Sequence, residues 1–161
     1  MSDAFEPYDE MAIDDEWVPE ELFSEFVARM PQVCVELIVE TEEGILLAKR
    51  DIHPPVWFWP GSRLYKGERL REAAHRIGDE ELGIDVDIVD QYGPYAHFWA
   101  DSSVQGSPSR HTVNPVFHVE PANEAYEITL DEQHSAYRYL TEMESGLHEY
   151  VRLYIEDNDL L

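Results

Sequence analysis

Apolar positions along the chain repeat with two different periods. QVCVELIVE at Gln32–Glu40 and ILLAK at Ile45–Lys49 are short runs of aliphatic and β-branched residues bounded by polar turns, the pattern of strands. Val56–Trp59, Val86–Tyr92, Tyr95–Ala100, Thr112–Glu120 and Ala136–Leu140 read the same way. Elsewhere the period lengthens. Leu70, Ala73, Ala74 and Ile77 fall at i, i+3, i+4 and i+7, which predicts a helix over Glu68–Leu82 that stops at Gly83. Leu22, Phe23, Phe26, Val27 and Met30 predict a short helix entered through Pro19, and Leu147, Tyr150, Val151 and Tyr154 predict a last one within Met143–Ile155. This order predicts an α/β (α+β) fold, a mixed sheet sandwiched between helices, as one domain over residues 17–161. Met1–Glu16 reads as an acidic, mobile tail, and the Gly, Ser and Pro of Asp101–Arg110 as a long flexible loop. In Trp57-Phe58-Trp59, strand alternation sends the two indoles to one face and Phe58 to the other, and packing accounts for both faces.

Within the helix after Gly61, charge adds a second pattern. Glu72, Arg76 and Glu80 occupy the outer side, where i, i+4 pairs are ordinary solvated contacts. Glu81 lies four residues after Ile77, so its carboxylate turns toward the apolar side. A charge there is costly without a partner, and a hard divalent cation would serve.

Composition narrows the function classes. The sequence holds 35 Asp and Glu against 11 Lys and Arg, a formal net charge of −24. Such a surface repels nucleic acid and anionic membranes. It also opposes an anionic substrate, unless molar salt shortens the reach of the field to roughly 3 Å. A very salty cytosol is therefore expected. No apolar run is long enough to cross a bilayer, and the N-terminus lacks the basic-then-apolar order of a secretion signal, so a cytoplasmic location is expected. Cys34 is the sole cysteine and lies in an apolar strand, where a small buried side chain is the expected role.

Residues Gly61–Ile84, GSRLYKGERLREAAHRIGDEELGI, resemble the Nudix box: Glu68, Arg76, Glu80, Glu81, Gly83 and Ile84 match its pattern. Ser62 stands where that pattern has Gly, Ile77 replaces its first helix Glu and Gly78 fills an apolar position. The lost Glu removes a ligand with which standard Nudix pyrophosphohydrolases collect several metals. ILLAKR, WFWPGSR and LDEQHSAYRYLT, with YAHFW between them, fall in the order seen in the GDP-mannose mannosyl hydrolase branch, which also lacks that Glu.

That resemblance implies one Mg2+, with Mn2+ as substitute, held by the Gly61 carbonyl, Glu81 and Gln133; Glu80 leaves a second ion open. It implies His134 as general base, Arg50 and Arg63 on the diphosphate, and Glu36 and His97 facing the sugar. Thr112 stands where the branch has a Tyr near the diphosphate. The expected partner is a small nucleotide sugar, and the expected assembly a homodimer. The expected reaction is attack of water at the anomeric carbon, releasing nucleoside diphosphate and free sugar. Two alternatives stay open: a pyrophosphohydrolase attacking phosphorus, favoured by Glu80 beside Glu81, and a non-catalytic nucleotide-sugar sensor.

Overall fold

The computed structural model describes residues 13, 15–52, 55–100 and 109–161. Its elements run α1 (Glu20–Arg29), β1 (Gln32–Thr41), β2 (Gly44–Arg50), β3 (Trp57–Phe58), β4 (Gly61–Arg63), α2 (Leu70–Leu82), β5 (Val86–Trp99), β6 (Arg110–Pro121), β7 (His134–Leu140) and α3 (Glu149–Asp157). The strands form one mixed sheet in the order β3-β2-β1-β6-β5, with β4 also paired to β1 and β7 to β2. The β1–β6 pairing is parallel and the rest antiparallel.

Alternation along β1 divides the core into two layers. Val35, Leu37 and Val39 point to the face covered by α2, where they meet Ala73, Ala74, Ile77 and Leu82. Ile38 points the other way, into a cluster with Leu47, Phe58, Trp59, Val116 and the α3 residues Val151, Tyr154 and Ile155. Glu36 shares that second face but lies beyond the aliphatic cluster, at its polar end. The mixed sheet between helices agrees with the expected fold class.

Several boundaries differ from the sequence reading. Phe58 and Trp59 enter the same core cluster, because β3 ends at Phe58 and the chain turns at Trp59-Pro60 before starting β4. Strict alternation therefore fails across this tripeptide. The two strands expected at 86–92 and 95–100 are one long strand, β5, whose pairing with β6 shifts register between Tyr92 and Tyr95. The last helix starts at Glu149, where the His148 ring accepts a hydrogen bond from Tyr150 N at 3.1 Å and acts as its cap. Strand β7 begins at His134, two residues earlier than expected. The expected tail lies outside the described residues at 1–12 and 14, as does the expected loop at 101–108.

Candidate active site and metal centre

The close approach of β4 to β1 fixes the site's floor. Gly61 is paired with Glu36, and a Cβ at Gly61 would come within 2.9 Å of both Glu36 Cγ and Val35 O, so this contact requires glycine. The bonds Leu37 N to Pro60 O and Leu64 N to Val33 O leave Gly61 at a position unbonded to β1. Its N–H and C=O therefore face away from that strand. The N–H donates to Glu81 Oε1 at 3.3 Å. Serine at position 62 is accommodated in regular strand, opposite Val35.

Glu81 comes from the last turn of α2, which Gly83 closes in the left-handed conformation at φ 67°. The side chain is turned inward as its spacing from Ile77 predicts, and the residue is only 6% exposed. Its Oε2 is buried with no hydrogen-bond partner among the described residues. Burial, and secondarily Asp131, push the carboxyl up to about 8, against the pull of the Gly61 N–H and Arg50. Asp131 and His134 stand beside it, and the three offer ligand atoms all within 4.8 Å of one another. His134 Nδ1 lies 2.6 Å from Asp131 Oδ1, which leaves Nε2 facing Glu81 Oε1 at 3.8 Å. An orphaned carboxylate oxygen, a second carboxylate and an imidazole, beside a backbone carbonyl unused by the sheet, fit a divalent cation.

Asp131 was not singled out from sequence, although its position three residues before His134 at the mouth of a strand marks a local side-chain turn. Its Oδ1 also accepts from Gln133 N at 3.2 Å. Gln133 itself is exposed, and its carbonyl accepts from Asp51 N at 2.8 Å. The structure thus brings Gly61, Glu81 and His134 together and leaves the Gln133 side chain toward solvent.

Other box residues form a knot on the opposite side of α2. Arg76 makes a forked contact with Glu68 at 2.6 and 3.0 Å, reaches Glu80 at 3.1 Å and donates to the Arg63 carbonyl at 3.0 Å. Glu80 is half exposed and turned toward this arginine. Ile77 is fully buried in the aliphatic core beneath β1, so hydrocarbon occupies the place of the box's first helix Glu.

The expected diphosphate and sugar residues surround the floor. Arg50 has a buried Nε with no partner; burial first and Arg110 second draw its pKa down, while Glu81 and Glu36 oppose them. Arg63 packs its guanidinium over the rings of Phe23, Tyr65 and Trp17 at 4.7, 5.0 and 5.7 Å. Glu36 and His97 are 3% and 1% exposed, sealed beneath α3. The Tyr154 hydroxyl lies 2.8 Å from Glu36 Oε1 and 2.8 Å from His97 Nε2. It has one proton, so donation to Glu36 requires His97 to donate from Nε2. His97 also stacks on Tyr150 at 3.9 Å. Burial raises the Glu36 carboxyl to about 8 and lowers His97 to about 4, so both are neutral over much of the working range. The sequence reading gave Tyr154 to packing alone. Thr112 turns its hydroxyl to Asn114 Oδ1 at 2.7 Å and stays within the sheet.

Comparison with known proteins agrees with this geometry. Residues 29–155 match the model of the NUDIX domain. The chain is 36% identical over 144 residues to the low-salt glycan biosynthesis protein Agl8 of Haloferax volcanii, covering 88% of this chain and 91% of that protein. Among solved structures, the MutT protein of Methanosarcina mazei superposes with a TM-score of 0.64 at 22% identity, over 81% of this chain and 95% of that one. A Caenorhabditis elegans Ap4A hydrolase does so with a TM-score of 0.54 at 15% identity, over 80% and 86%; these two likenesses concern the fold. With a family match across most of its length and the inward glutamate of the box in place, this chain belongs to the Nudix hydrolase family.

Proposed function

We propose that this Nudix hydrolase cleaves a nucleotide sugar, GDP-mannose or a close relative, by attack of water at the anomeric carbon. One observation carries the reading: of the box carboxylates on α2, only Glu81 is inward and without a cationic partner. Ile77 is buried in hydrocarbon and Glu80 is turned to Arg76, so the helix supplies one metal ligand where phosphorus-attacking relatives supply several. Glu81, the Gly61 carbonyl and Asp131, with Gln133 after a rotation of its side chain, are the residues that would hold the ion, and His134 stays free of it to act as base. When bound, Mg2+ or Mn2+ supplies charge neutralisation for the departing diphosphate.

The remaining work falls to side chains. Arg50 and Arg63 take up diphosphate oxygens. His134, oriented through Nδ1 by Asp131, accepts the proton of the attacking water at Nε2. Glu36 and His97, bridged by Tyr154 and buried beneath α3, would back the sugar subsite as a neutral polar layer rather than touch its hydroxyls. The glycan-biosynthesis name of the Haloferax relative supports a sugar-bearing substrate. Hydrolysis in water labelled with heavy oxygen tests the mechanism: label in the free sugar is expected, and label in a nucleotide phosphate would assign the protein to the pyrophosphohydrolases instead. No turnover of any nucleotide sugar, with tight binding of one, would make it a sensor.

The acidic surface belongs to the same proposal. At −24 the fold repels its own anionic substrate in dilute buffer, so a salty cytoplasm is the expected setting. The thermal midpoint should rise from dilute buffer to molar KCl; a flat midpoint would remove salt adaptation. A homodimer is the expected assembly, to be read by sedimentation in the same high salt.

A further inference from the structure

Acid outnumbers base by 35 to 11 in this chain, so a cluster of cations with no carboxylate ion-paired to it stands out. Arg29, Arg69, Arg76, Arg138 and Arg152 all have carboxylate partners. Lys49, Arg50, Arg63, Lys66, Arg71 and Arg110 have none among the described residues, and of these Arg50, Arg63 and Arg110 come together in one place. Arg63 is directly opposite Cys34 across the β1–β4 pairing, and Arg110 Nη2 approaches the Cys34 sulfur at 3.6 Å. The guanidinium carbons of Arg63 and Arg110 lie 4.7 and 5.7 Å from the centre of the same Phe23 ring. Arg50 completes the group: its buried Nε lacks a partner, and it is close enough to Arg110 for the two charges to repel.

We propose that Arg110 is a third diphosphate-binding cation, acting with Arg50 and Arg63 across the Cys34 position of β1. Nothing in the box points to this residue, since Arg110 enters from the first position of β6. Half-buried like charges cost energy to hold together, and the carboxylates of Glu81 and Glu36 offset that cost for Arg50 only in part, without an ion pair to any of the three. A dianionic group spanning neighbouring phosphates offsets it, with guanidinium forks presented to its oxygens. The ring of Phe23 faces two of the guanidinium planes and takes none of their N–H donors, although Arg110 Nε donates to Gln32 Oε1 at 3.3 Å. Thr112, two residues further along β6, is engaged with Asn114.

This inference rests on the diphosphate reading above but not on which atom water attacks, because either route requires the diphosphate to be gripped. Calorimetric titration of inorganic pyrophosphate into the full chain, in metal-free buffer at one fixed KCl concentration, isolates the arginines from the metal. Arg110→Gln should weaken pyrophosphate about tenfold or more, the scale of one charge-assisted contact. Arg152→Gln, which removes the same charge from α3, should bind as the unaltered protein does. Without pyrophosphate, the midpoint of Arg110→Gln should not fall, because one of two repelling cations is gone. Should that variant fail to fold, Arg110→Lys keeps the charge, loses the fork and should weaken pyrophosphate severalfold. Unchanged affinity in the folded variants, or no pyrophosphate binding by the unaltered chain, would overturn the assignment. Label appearing on phosphorus would overturn the reaction proposed above and leave Arg110 in place.

Discussion

Glu80 and Glu81 are neighbours in sequence with opposite environments. Glu80 belongs to the outer knot with Arg76 and Glu68, where every charge has a partner and water reaches the rim. Glu81, one residue on, faces inward to an unmet demand, with Oε2 buried and unpaired. A satisfied ion cluster holds the helix to the β4 loop, whereas the orphaned carboxylate marks the position that the proposed cation would complete. Identity of residue type therefore says little about role; the direction of the side chain decides it.

Substitutions in the two regions should separate these roles. Glu81→Gln should lower metal-dependent turnover by more than about a hundredfold, beyond what loss of a supporting contact causes, while the metal-free protein melts no lower than the original at pH 9. A lower melting point there would show Glu81 to be structural. His134→Gln should reduce kcat by about a hundredfold or more with KM nearly unchanged, as removal of a general base does. Equal losses in kcat and binding would place the base elsewhere. Arg76→Met strands the largely buried Glu68 carboxylate and should cost about 3 kcal/mol of stability, visible as a drop in melting temperature of roughly 10 °C.

Acidity sharpens the contrast further, because Glu36 and His97 bias stability in opposite directions. The Glu36 carboxyl is raised from 4.5 to about 8, so its contribution is full below the unfolded value and is lost as pH climbs toward 8. His97 is lowered from 6.5 to about 4, so its contribution is full above 6.5 and fades as pH falls toward 4. Glu36→Gln should flatten the alkaline decline in melting temperature and leave the acid limb alone. An unaltered alkaline limb would mean that Glu36 is not held neutral. The smallest effect belongs to Glu80→Gln. Its half-exposed pair with Arg76 should cost less than about 0.5 kcal/mol, and turnover should stay within about twofold, as one cation requires. A large loss of rate would restore a second metal.

Much of the architecture was legible because its signals are local. Leu70, Ala73, Ala74 and Ile77 announced the face of α2, and their spacing placed Glu81 inside correctly. The aliphatic run of Gln32–Glu40 announced β1, whereas the division of its side chains between the two faces needed the structure. What escaped depends on contacts between distant segments. Asp131 is an ordinary loop acid until β7 brings its partner His134 against α2. Trp59 leaves strand geometry because Pro60 turns the chain toward β4. Arg110 looks like the end of a loop, and only the parallel pairing of β6 with β1 brings it to Cys34. Gln133 was expected from the resemblance, and the turn that orients His134 uses the Gln133 backbone.

The hydroxyl of Tyr154 reaches Glu36 at a sequence separation of 118 residues. That bridge thus exists only when the first strand and the last helix have met. On the proposed reading, docking of α3 completes the polar layer behind the sugar subsite, so activity should fall when α3 frays even while the sheet and α2 persist.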